Sequence, residues 1–126
     1  MMSNYYKDRL AKMLLVGTTF HGALTNVYLA FFSDNVNAAG TGTENTATIC
    51  TSRPIVTFTF GALGSGESTM AQEVITVENA ATISSVGLFD AASGGNLLFF
   101  HHLASPVSVV PGTWTIDAGD IKVLIT

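Results

Sequence analysis

Apolar residues recur at helical spacing only at the start of the chain; from residue 26 onward they alternate or run in short blocks. Tyr6, Leu10, Met13 and Leu14 follow one another at spacings of four, three and one, as along one side of a helix. Ser3 is placed to cap that helix, with Asn4 and Tyr5 in its first turn. Gly17 can take the left-handed conformation that ends it near residue 16. Lys7, Asp8, Arg9 and Lys12 surround the stripe, and residues 18–25 read as a connector.

The rest predicts strands and turns. Residues 26–32 are apolar on both faces, which suits a central strand covered twice. One cover is the partner sheet; the other has to be the helix or a second subunit. Residues 33–45 are small and polar and read as a long exposed loop. Residues 55–60 alternate, placing Val56, Phe58 and Phe60 on one face, with Pro54 fitting the start of an edge strand. Residues 61–68 read as a flexible turn. Residues 73–78 put Ile75 and Val77 opposite Val74 and Thr76. Residues 82–89 put Val86 and Leu88 opposite Ile83, Ser85, Gly87 and Phe89. The cluster 90–96 turns into a return strand, 97–103, a hairpin by spacing. Pro106 is expected to break that strand. Residues 108–110 and 113–116 then form a pair around Pro111 and Gly112, and residues 121–125 close the chain after the turn 117–120. Turn signals every 8–12 residues or so predict a mainly β protein. The expected fold is an antiparallel, jelly-roll-like β-sandwich with one N-terminal α-helix. The organisation is a helical arm at 1–17 and a β-sandwich at 18–126, a single domain overall.

Composition narrows the class. The 126 residues are 48% hydrophobic and only 11% charged, with a net charge of -4. Residues 1–12 set Lys7, Arg9 and Lys12 against Asp8, while the remainder sets Arg53 and Lys122 against eight carboxylates. An acidic body argues against a nucleic-acid partner. The longest apolar runs, Met13 to Val16 and Leu97 to Phe100, are far too short to span a membrane, and the first is too short for a secretory signal. A surface this poor in charge is expected to be covered by other protein, in a homodimer or homotrimer.

Candidate chemistry is sparse. His101 and His102 are adjacent on a strand and point to opposite faces, so they cannot grip one metal together. His21 has no acidic or cysteine neighbour. Gly64-Ser65-Gly66 lacks the context of a nucleophile elbow. Cys50, the one cysteine, reads as a buried small hydrophobe. Asp90, Asp117 and Asp120 lack calcium-loop spacing. Gly40 to Glu44 lacks the lysine and helix of a phosphate loop. The acids Asp34, Glu44 and Glu67 fall in loops and are expected to face water. No enzyme, cofactor or metal is expected.

Four stretches carry a resemblance. Val27 to Phe32 followed by Ala39 to Glu44 resembles the "VYLALF…AGTGTE" opening of a family of small tailed-phage virion proteins. Val86 to Leu98 is similar to that family's "GLFDAATGGNLL" hairpin. Val110 to Thr113 and Ile116 to Ile121 resemble its closing segment, and Leu14 to Thr19 its helix exit. The segments 46–54 and 81–85 depart from the pattern. The resemblance implies a non-enzymatic virion structural protein, made in the host cytoplasm. The expected job is capsid decoration: a cement protein at the capsid surface, with the major capsid protein as partner. The alternative is a tail-tip or fibre module that binds host-surface glycan or protein, with Trp114 near Asp117 as its only aromatic candidate. The contact residues expected on the helix are Tyr5, Tyr6, Arg9 and Leu10, since Tyr and Arg are favoured anchors; the same helix could simply cap its own sandwich.

Overall fold

A computed structural model describes residues 1–11, 26–45, 53–62 and 64–124. The helix exit near Gly17, the connector 18–25 and Cys50 lie outside the described residues, as do the last residues of the closing strand. The described chain is mainly β and wholly antiparallel, with one short helix, α1 (Asn4–Ala11). The strands are β1 (Val27–Phe32), β2 (Ile55–Val56), β3 (Phe58–Phe60), β4 (Glu67–Met70) and β5 (Glu73–Val77). They continue with β6 (Ala81–Phe89), β7 (Leu97–Val109), β8 (Gly112–Ile116) and β9 (Lys122–Leu124). A four-stranded sheet has the order β2-β1-β6-β7, a three-stranded one β3-β4-β9, and a two-stranded one β5-β8.

The main core joins all three sheets. Leu29 and Phe31 of β1, Val56 of β2 and Ile83 and Leu88 of β6 meet Met70 of β4, Ile75 and Val77 of β5 and Ile116 of β8. This sandwich-like packing follows from period-two alternation, which sends every second side chain inward. A second apolar cluster lies on the opposite face of the same sheet: Ala30, Phe32, Phe89, Leu97 and Phe100, with Val36 packed onto them. The two-faced character expected of β1 is therefore real. Its outer cover is the segment 33–45 of the same chain.

That segment is the largely exposed loop expected, but it is anchored to the sheet through buried Val36. Three of its carbonyls and one amide are taken up by side chains of the sheet, and others pair within the segment, which helps backbone lie over an apolar surface. Buried Ser85 donates from Oγ to the Asp34 carbonyl at 2.6 Å and accepts from the Val36 amide at 3.1 Å. His102 Nε2 donates to the Val36 carbonyl at 2.6 Å, and Ser84 Oγ to that of Ser33 at 2.9 Å.

Other expectations change for local reasons. The run 55–60 is two strands, because the chain crosses between sheets at Thr57: Val56 pairs with Val27, and Phe58 with Met70. Phe60, paired with Ser68 on the outer strand of its sheet, is 89% exposed. The expected turn 61–68 already contains the start of β4. Ile83 shares the inner face with Val86 and Leu88 because the β6–β7 register shifts between Ile83 and Ser85. The same irregularity explains why Pro106 does not break β7. Ile83 pairs with Val107 and Ser85 with His102, so Pro106 lies in a bulge of an outer strand, where no ladder amide is required of it. Finally, β8 pairs with β5 and not with residues 108–110.

Candidate interaction surface

The N-terminus does more than lead into a helix. Met1 to Ser3 lie antiparallel along β7: the Phe100 amide donates to the Met1 carbonyl at 2.7 Å, and the Ser3 amide to the Leu98 carbonyl at 2.8 Å. The Met1 α-amino group donates to the Phe100 carbonyl at 2.6 Å. Burial, and after it the charge of Lys7, lower the pKa of that amine from its ordinary value. Ser3 is the helix cap, as expected: Oγ accepts from the Tyr6 amide at 3.2 Å. It also donates to the Leu97 carbonyl, and the Asn4 amide reaches the Ala38 carbonyl at 2.9 Å. The arm is thus sewn to the edge of β7 and to the outer loop.

The four residues expected to make contacts all lie on this arm and are half-buried. The Tyr6 ring packs on Phe99 with centroids 5.1 Å apart, and the Arg9 guanidinium sits 5.5 Å above the Tyr5 ring. Part of their surface is therefore used inside the protomer, as a helix capping its own sandwich requires. Trp114 is not an exposed loop aromatic. It is half-buried and packs on Phe31 with centroids 5.3 Å apart.

The strongest polar constellation was not anticipated. Arg53, 7% exposed, makes a two-pronged ion pair with Glu44, Nε to Oε1 and Nη2 to Oε2, both at 2.7 Å. Its Nη1 donates to the carbonyls of Ala91 at 2.9 Å and Gly94 at 2.7 Å, and the guanidinium lies 3.7 Å above the Phe89 ring. A planar fork with five donors suits this combination of carboxylate, carbonyls and aromatic face. The hairpin it grips is shaped by Asp90, which accepts from the Asn96 amide at 2.7 Å and side-chain amide at 3.0 Å. Gly95 is required there: its φ is +70°, and a Cβ would come within 2.6 Å of both Ala91 and Asp90. A signal for the clamp did exist in the sequence, since Glu44 and Arg53 are the only charged residues between Asp34 and Glu67.

The three acids that lack calcium-loop spacing lie in two different turns: Asp90 shapes the hairpin, and Asp117 and Asp120 share a separate turn. Among the described residues no group of three His, Cys, Asp or Glu converges as a metal site. No described helix is long and apolar enough to cross a membrane. His101 is exposed and His102 turned toward the outer loop, the opposite orientation expected of strand neighbours.

The clamp joins two of the stretches that carry the family resemblance, the segment ending at Glu44 and the hairpin after Phe89. Along the whole chain, residues 1–124 match the family described as Podophage GP4 fiber I protein gp80. The chain belongs to that family. It is a tailed-phage structural protein associated with the virion. No curated protein matches it. In this family member, Arg53 gives the shared motif residues a common purpose: it ties the outer cover of the sheet to the β6–β7 hairpin.

Proposed function

We propose that the protein is a non-enzymatic fibre component of the virion, held in place by protein–protein contacts. The observation that carries this reading is the match of residues 1–124 to a family named for a podophage fibre protein. The surface supports a contact role. Phe60, Val110, Val74 and Leu124 are exposed apolar side chains at sheet ends and outer positions, on a chain with few charges to separate copies. A homodimer or homotrimer would cover some of them. Tyr5, Tyr6, Arg9 and Leu10 are proposed as contacts on the arm through the surface they still expose.

The test is location in the particle. Gold-labelled antibody against the protein is expected on fibres or at the tail of intact virions, and the isolated fibre fraction should contain it. Label spread over the capsid shell would overturn the fibre reading and establish decoration, with the major capsid protein as partner. Light scattering of the purified chain is expected to give two or three copies. Arg9→Ala with Leu10→Ala should lower its incorporation into particles without lowering its melting temperature by more than a few degrees.

A further inference from the structure

Among the described residues the two halves of the sandwich do not close on the β7 side. A cleft of about 430 Å³ runs between β7 and β9 and reaches Leu29 and Leu88 at its floor. A second, of about 440 Å³, continues past Trp114 and shares Val86, His101, Ile121 and Lys122 with the first. Each volume is in the range of sites that bury a ligand, and the lining is mainly apolar.

Charge at the first cleft is one-sided. Among the described arginines, Arg53 is committed to Glu44 and Arg9 sits over Tyr5. Both described lysines, Lys7 and Lys122, line the first cleft, together with His101 and Met1, which bears the α-amino group; among the described residues no carboxylate lines it. Among the described residues Lys122 pairs with one carboxylate, Glu67, at 3.9 Å between an exposed and a partly exposed side chain, a contact of small energy. On a chain of net charge -4 this is a local reversal of sign. The backbone adds a third element. Strand β9 bonds to β4 on one side, and as the last strand of its sheet it leaves its other edge without a partner among the described residues.

We propose that this cleft receives an extended segment of a partner protein, with apolar side chains at alternate positions and carboxylates between them, added as a strand to the free edge of β9. Period-two alternation puts the apolar set into the slot and turns the carboxylates toward Lys7, Lys122 and His101. Strand addition supplies affinity through main-chain hydrogen bonds and specificity through the pockets for alternate side chains. The proposal deepens the reading of a protein that works by protein contacts and rests on it only for the nature of the partner.

The test uses the full chain and three probes: a labelled octapeptide of alternating valine and glutamate, its counterpart with lysine for glutamate, and dodecanoate. The glutamate peptide is expected to bind saturably, with affinity falling at least about tenfold in the Lys7→Glu, Lys122→Glu double variant and also at high salt. Both lysines are exposed, so the variant should melt like the parent. Amide spectra are expected to shift at Lys122 to Leu124 and at Gly87 and Phe99, with slower exchange along β9. Absence of saturation by about 1 mM peptide, equal binding of the lysine peptide, undiminished affinity in the variant, or shifts confined to another surface would each overturn the proposal. Binding of dodecanoate alone would overturn it in favour of a fatty-acid ligand. If the peptide fails while antibody still labels fibres, only this proposal falls; if the peptide binds but particles lack the protein, only the functional reading falls.

Discussion

The two faces of the central β1–β6 pair are built from similar apolar side chains and closed by different means. The inner face, with Leu29, Phe31, Ile83 and Leu88, is covered by strands of two further sheets whose own ladders satisfy their backbone. The outer face, with Ala30, Phe32 and Phe89, is covered by 33–45, which forms no named strand and borrows partners from Ser84, Ser85 and His102. Its far end is held by the Arg53–Glu44 pair. A cover of strands is held chiefly by buried apolar area. A cover of loop depends on a few polar bonds, because each one lost strands a buried donor or acceptor. The inner face should therefore respond to volume and the outer face to charge and hydrogen bonding.

The largest effect is expected from Arg53→Ala, which leaves Glu44 and two carbonyls without their partner. Removing one member of a buried pair costs about 3–5 kcal/mol, measurable by urea denaturation. Amide exchange should quicken across residues 37–43 more than in the β5–β8 ladder. Arg53→Met with Glu44→Leu should recover much of the loss, since no buried charge is then unpaired. A loss below about 1 kcal/mol for Arg53→Ala would erase the contrast between the faces.

Leu29→Ala probes the other face. It is fully buried, and its truncation is expected to cost about 3 kcal/mol through lost transfer energy and the cavity left behind. Here exchange should quicken uniformly, with no preference for the outer loop.

The smallest effect concerns Asp34, which is exposed and accepts from the Thr43 amide at 2.8 Å. That backbone hydrogen bond, the main cause, lowers its carboxyl pKa against a smaller opposing desolvation. A carboxylate with a lowered folded pKa contributes stability that is complete above its unfolded value and is lost as pH falls through the folded one. Asp34→Asn should thus remove a small part of the acid sensitivity seen below about pH 4 and change little at neutral pH. An unchanged acid limb of the stability curve would show that this bond does not help hold the loop.

Much of this was legible in the residues. Alternation in 73–77 placed Ile75 and Val77 inward, Ser3 marked the helix start, and the glycines of 90–96 marked the hairpin. Face assignments failed where the register slips, at Ile83 and around Pro106, since a bulge leaves no periodic trace. The clamp was hidden because Glu44, Arg53 and Gly94 are separated along the chain, and a carboxylate in a polar loop ordinarily faces water. The expected contact residues were found on one arm, but their half-burial against Phe99 and Tyr5 could be seen only in three dimensions.

By itself the sequence determined the strand-rich class, the leading helix, the charge-poor composition and the motifs shared with phage virion proteins. These are local or compositional properties, set by side-chain periodicity and turn chemistry along a few neighbouring residues. Only the tertiary structure decided that a polar loop would cover the second face, that Arg53 would be buried, and that the lysines would gather at an open cleft. Those outcomes depend on which distant segments meet, and in a β fold that is settled by ladder register and sheet crossing.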